Sequence, residues 1–195
     1  MGNPVKTEPC MNAAAFIAWY DLQPDGERYE LLDGRVYPMF TTEMQGERVI
    51  HAETKARITE SFRSQIRAKR LECQALGDGM AVWVDEDTVF EPDALVRCGP
   101  RLPDGTLVIM DVMIVVEVAS PAIQSIDALH KLTLYFRNSR IVHYLIVLPA
   151  RKIVIHHQRG ADGQITAAIC GKDSLVLDPP GLTLNVDELF DDSNL

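Results

Sequence analysis

The stretch DVMIVVEVASPAIQSIDALHKLTLYFRNSRIVHYLIVL, residues 111–148, decides the fold. Asp111 to Ala119 is dense in Val, Ile and Met and reads as a central strand, apolar on both faces. Ser120-Pro121 ends it. Ser125 to Asn138 has the spacing of a helix of about three to four turns, and Ile141 to Leu148 is a second buried strand stopped by Pro149. Strand, helix and strand in this order predict a right-handed parallel crossover within an α/β sheet.

Working outward, Lys152 to Gln158 pairs back through a tight turn, and Gln164 to Cys170 adds an edge hairpin. Pro179-Pro180-Gly181 breaks the chain before a short helix over Asn185 to Phe190. On the N-terminal side, Asn12 caps a short helix running to Leu22. Arg28 to Leu32 and Arg35 to Phe40 are strands joined at Asp33-Gly34, a strong hairpin signal. Gly46 to Arg70 is the longest helical pattern, with Val49, Ala52, Ala56, Ile58, Phe62 and Ile66 near helical spacing. Short strands follow over 71–76, 80–84, 87–90 and 94–97. Residues 1–11 are polar and read as a frayed, flexible terminus, leaving one domain over 12–195 with no linker or internal repeat.

The bulk composition bounds the function. A chain of 195 residues, 47% apolar and 24% charged, has the makeup of a soluble globular protein. Cys10, Cys73, Cys98 and Cys170 form no C-x-x-C pair and read as reduced thiols of a cytoplasmic protein, not a disulfide framework or a zinc site. No signal peptide and no apolar stretch of about 20 residues is present, so no membrane partner is expected. The net charge of −9 opposes tight non-specific nucleic-acid binding, but the charge is uneven. Gly46 to Arg70 holds seven basic residues against three acidic ones, while 173–195 holds six acidic residues and no basic one. A local basic surface therefore remains compatible with the mean charge.

A few charges stand where charges are expensive. Glu117 lies inside the apolar run Val112 to Ala119, where a carboxylate needs a partner or a cation. A strand-end surface position and a buried arginine pair are its plainer readings. Asp93 follows Pro92 where a strand begins; its plainer reading is an Asp bonding its own backbone. Asp127, Lys131 and Tyr135 recur at intervals of four and share a helix face, so a solvated salt bridge is the default for the first two. That helix starts just after the Glu117 strand, and its first turns can overhang the strand's carboxyl end, where open α/β sheets build sites. Two carboxylates and a lysine converging there would suit a divalent-metal site for phosphodiester hydrolysis. Mg²⁺, or Mn²⁺ in its place, takes one or two carboxylates plus waters and phosphate oxygens.

Several segments in order carry a resemblance: Tyr29-Glu30-Leu31-Leu32-Asp33-Gly34-Arg35-Val36, His51 before the long helix, Pro92-Asp93, Val116-Glu117-Val118-Ala119-Ser120-Pro121, then Asp127 with Lys131 and Tyr135. Together they resemble the Uma-type restriction endonuclease family of the PD-(D/E)XK nuclease superfamily, over roughly residues 12–160. The resemblance implies a restriction endonuclease-like α/β/α core with a mixed central sheet, here with an N-terminal helix, a β-hairpin and extra C-terminal strands. It implies a Mg²⁺-dependent site with Asp93 and Glu117 as metal ligands and Glu30 as a third acid nearby. The superfamily's lysine two residues after the glutamate is Ala119 here, and Lys131 on the next helix fits the migrated position known in the superfamily.

Other candidates are weaker. His51 reads first as helix-start packing or a solvent-exposed base, and second as site-lining. His156-His157 alternate across a strand, cannot grip one metal together, and read as edge decoration. Arg63, Arg67 and Arg70 lie at helical spacing, by default a solvated face, with phosphate contact as the sharper alternative. The expected partner is DNA, and a homodimer would be the simplest way to cut both strands. Two rivals stand beside the endonuclease: a nuclease-fold binding or assembly protein without turnover, and a metal-dependent small-molecule phosphoesterase.

Overall fold

The computed structural model describes residues 10–24, 26–39, 49–119 and 127–190, with the backbone alone for 127–129. Residues 1–9 of the segment 1–11 expected to be flexible, the helix starts at 46–48 and 125–126, Phe40 and residues 191–195 lie outside the described residues.

The crossover is present. β8 (Val112–Val118) and β9 (His143–Leu148) pair in parallel through Ile114↔His143 and Val118↔Val147, joined by α3 (Asp127–Tyr135). Both strands are buried on both faces, as their continuous apolar runs require. β6 (Ala94–Cys98) pairs antiparallel with β8, and β3 (Cys73–Gly77) with β6. On the other side β10 (Ile153–Arg159) and β11 (Ile165–Cys170) complete a six-stranded mixed sheet in the order β11-β10-β9-β8-β6-β3.

The N-terminal hairpin builds a second sheet. α1 (Ala13–Tyr20) is capped by Asn12, whose Oδ1 accepts from the Ala15 N–H at 2.8 Å. β1 (Tyr29–Leu32) and β2 (Arg35–Pro38) turn at Asp33 and Gly34, both at positive φ. A Cβ at Gly34 would also collide with Cys10 Sγ. The Met11 N–H donates to the Gly34 carbonyl at 2.8 Å. β1 joins β5 (Thr88–Phe90), β4 (Ala81–Asp85) and β7 (Val108–Ile109) in the order β2-β1-β5-β4-β7.

Alternate residues of the six-stranded sheet feed two cores. Ala94, Val96, Ile114, Val116, Leu145 and Val147 pack with Ile58, Phe62 and Ile66 of α2 (Val49–Lys69). The same core takes in the hairpin of β12 (Ser174–Leu177) and β13 (Leu182–Asn185) and the short α4 (Val186–Leu189). Leu95, Val115, Tyr144 and Ile146 pack on the other face with Leu134 and Tyr135 of α3 and with Val82, Phe90 and Ile109 of the second sheet. The sheet is therefore covered on both faces, as an α/β/α core predicts, with one cover shared by α3 and a second sheet.

Two expectations are corrected. Cys73 and Cys98 face each other across β3 and β6 and are joined by a disulfide, so only Cys10 and Cys170 are free among the described residues. His156 and His157 are not edge decoration, because β11 covers β10 and both rings are buried. His156 Nε2 lies 2.9 Å from His143 Nδ1, and His143 Nε2 lies 3.0 Å from the Pro179 carbonyl. That carbonyl can only accept, so His143 carries its proton on Nε2 and His156 donates to Nδ1. Burial drives the His156 pKa down to about 4.

Candidate metal centre at the end of the central sheet

Strand geometry brings Asp93 and Glu117 together. Asp93 stands at the bend just before β6 and Glu117 near the end of β8, next to the paired Ala94↔Val116. Two contacts flanking Glu117 hold Asp93 beside it: Asp93 N–H donates to the Val116 carbonyl at 3.0 Å, and Val118 N–H donates to Asp93 Oδ2 at 2.6 Å. β6 starts where β8 ends, so both carboxylates sit at one end of the sheet.

The segment Phe90-Glu91-Pro92-Asp93 leads straight from β5 of one sheet to β6 of the other. This short link swings β1, and with it Glu30, over the same end. Glu30 Oε1 accepts from the Glu91 N–H at 3.1 Å. Glu91 is itself buried and clamped by Arg28 through two bonds of 3.1 and 2.7 Å, which immobilises the link.

α3 supplies the cation. Lys131 Nζ lies 2.8 Å from Glu30 Oε1 and 3.5 Å from Glu117 Oε1, and 5.1 Å from the centre of the Phe90 ring. One turn on, the Tyr135 hydroxyl donates to Glu117 Oε1 at 2.8 Å. The i, i+4 spacing of Lys131 and Tyr135 thus puts both on the face that meets Glu117. The side chain of Asp127 lies outside the described residues.

These neighbours set the charge state. Burial is the largest influence on Glu117 and raises its pKa to about 7; Lys131 opposes this, Asp93 and Glu30 add to it, and the Tyr135 bond opposes it. Tyr135 is pushed well above its usual value by burial, then by the Glu117 and Glu30 carboxylates, so it remains a donor. Glu117 Oε2 takes no hydrogen bond among the described residues, and Oε1 takes two.

The donor set suits a hard cation. Asp93 and Glu117 offer carboxylate oxygens from two backbone-fixed positions, with Glu30 close by. Among the described residues no group of three His, Cys, Asp or Glu is arranged as a metal cage. A two-carboxylate seat leaves the remaining positions to water and phosphate, the usual way Mg²⁺ is held.

The remaining candidates divide. His51 is buried in the first turn of α2, in keeping with its packing reading. Arg63 lines a groove beside Asp93, and its Nε donates to the Ala75 carbonyl at 3.0 Å. Arg67 pairs with Glu60 at 2.9 Å on the exposed side, and Arg70 ends the helix at positive φ. Sequence reasoning missed Lys55, whose Nζ lies 2.7 Å from Asp93 Oδ1. Its only signal was its place among the seven basic residues of 46–70.

A sheet of this order, ending in two carboxylates and a lysine delivered by the following helix, defines a restriction endonuclease-like fold. Residues 13–187 match the sequence profile of the Uma2 family, whose description reads "Putative restriction endonuclease", and the chain belongs to that family. Among solved structures, it is similar to a "putative nuclease belonging to DUF820 from Anabaena variabilis ATCC 29413". That likeness has a TM-score of 0.67 at 15% identity and covers 88% of this chain and 94% of the other, so it speaks for the fold. No curated protein matches. No helix among the described residues is long and apolar enough to cross a membrane.

Proposed function

We propose that this chain is a divalent-metal-dependent endonuclease that hydrolyses DNA phosphodiester bonds at Asp93 and Glu117. The observation that carries the reading is the placement of Lys131. Its ammonium lies 2.8 Å from Glu30 Oε1 and 3.5 Å from Glu117 Oε1, which supports its standing in for the lysine absent at Ala119. Family membership supports the same reading.

Asp93 and Glu117 would hold Mg²⁺ or Mn²⁺, which when bound polarises the phosphate and lowers the pKa of water. The protein's own groups do the rest. Val118 N–H aims Asp93 by holding Oδ2. Tyr135 holds Glu117 Oε1 and favours its ionised form. Lys131 adds positive charge beside the attacked phosphate and stabilises the crowded transition state. Glu30 fixes the Lys131 ammonium at 2.8 Å. Cutting both strands would take two such sites, most simply in a two-fold dimer.

Nicking of supercoiled plasmid in Mg²⁺ tests the reading. The wild-type protein is expected to nick, and Glu117→Ala to abolish nicking. An inert wild type would favour the binding-protein alternative, and cleavage of small phosphodiesters alone would favour the phosphoesterase.

A further inference from the structure

The groove between α2 and the ends of β3 and β6 has a volume of about 540 Å³ and is lined by Lys55, Thr59, Glu60, Arg63, Asp78 and Asp93, among others. Lys55 Nζ lies 2.7 Å from Asp93 Oδ1 and 3.4 Å from Asp78 Oδ2, and its side chain is 19% exposed. Asp93 Oδ2 is already committed to the Val118 N–H. Lys55 therefore covers the oxygen of Asp93 that the backbone leaves available.

We propose that Lys55 is an internal cation on the metal seat. It holds Asp93 in the metal-free chain, leaves Oδ1 when a divalent cation is held there, and then contacts a phosphate of the DNA strand lying along α2. This rests on the nuclease reading of Asp93 and Glu117.

The geometry sets the two cations in competition. A divalent ion about 2.1 Å from Asp93 Oδ1 would stand within about 4 Å of an ammonium bonded to the same oxygen, and like charges there repel strongly. Oδ2 already commits one lone pair to the Val118 N–H, which restricts the directions it leaves to a metal. Lys55 has somewhere to go, because its flexible stem reorients by rotamer change and Asp78 offers a second anchor on the groove side. Arg63 lines the same groove, and only its Nε bonds the backbone. The two lysines thus differ in role: Lys131 makes its short contact to Glu30 and reaches Glu117 only at 3.5 Å, whereas Lys55 makes its short contact, 2.7 Å, to Asp93 itself and is exchanged.

The test is Mn²⁺ binding to the full-length, metal-free protein without DNA, followed by electron paramagnetic resonance. Lys55→Ala and Lys55→Gln are both used, with circular dichroism confirming their folds. Each is expected to bind Mn²⁺ about tenfold more tightly than wild type, since a unit charge that repels the ion has been removed. A second measurement reads the affinity of a short DNA duplex against salt in Ca²⁺. Lys55→Ala should flatten the salt slope by about one phosphate contact relative to wild type. Unchanged or weaker Mn²⁺ affinity in both variants overturns the exchange. Tighter Mn²⁺ binding with an unaltered salt slope overturns the phosphate contact. A wild type that binds no Mn²⁺ removes the nuclease reading and this inference with it.

Discussion

Replacing Glu117 by Gln should stabilise the metal-free protein at alkaline pH. The glutamine is a permanent stand-in for the protonated acid and keeps an acceptor for the Tyr135 hydroxyl. The folded chain raises the Glu117 pKa from its ordinary 4.5 to about 7. An acid with a raised pKa binds more protons in the folded state than in the unfolded state between those two values, so its contribution to stability is present below pH 4.5 and is lost as pH rises to about 7. The loss amounts to about 3 kcal/mol, taking about 1.4 kcal/mol per tenfold change in proton affinity. The side chain is only 17% exposed, so solvent screening leaves most of it. Urea unfolding in EDTA at pH 4.5 and pH 8 reads the difference. Glu117→Gln should match wild type at pH 4.5 and exceed it by about 3 kcal/mol at pH 8, or roughly 6–12 °C in Tm for a chain of this length. Adding Mg²⁺ should narrow the gap, because the metal favours the ionised carboxylate of the wild type. A glutamine variant less stable than wild type at pH 8, or a gap independent of pH, would refute the electrostatic account.

Lys131→Ala should keep the fold and most metal binding but lower cleavage by about 10² or more, and Lys131→Arg should not rescue it fully, as single-turnover rates would show. Tyr135→Phe removes a bond that holds the Glu117 pKa down, so the acid limb of the cleavage–pH profile should move to higher pH while the alkaline limb stays. Arg63→Ala should weaken DNA binding in a fluorescence-anisotropy titration more than Arg67→Ala does, since only Arg63 lines the groove beside Asp93. Equal effects would return both arginines to a solvated face.

Much of this architecture is legible in the sequence because local rules and tertiary packing agree there. The apolar run 112–118, the Asp33-Gly34 turn and the Asn12 cap each follow from one dominant effect: burial, positive φ and an orphan N–H. Lys131 and Tyr135 are legible because helical spacing and the preceding strand end both constrain them. Lys55 is not, because only the packing of α2 on β6 brings it to Asp93 from 38 positions away. The Cys73–Cys98 bond depends on a strand register that no spacing of cysteines reveals. The two-sheet arrangement hides in Glu91-Pro92, too short a link to advertise a change of sheet. The β12–β13 hairpin carried a readable signal: Leu175, Leu177, Leu182 and Leu184 alternate with exposed or half-buried neighbours on either side of Pro179-Pro180-Gly181.

The central claim is that Glu117 serves a metal-dependent cleavage at the expense of the chain's own stability. Plasmid nicking at pH 8 in Mg²⁺, comparing wild type with Glu117→Gln, tests it most directly, because the variant is expected to be the better-folded protein at that pH. The account predicts nicking by wild type, its loss in EDTA, and none by the glutamine variant. Nicking by Glu117→Gln at the wild-type rate, or a wild type inert in both Mg²⁺ and Mn²⁺, would contradict it.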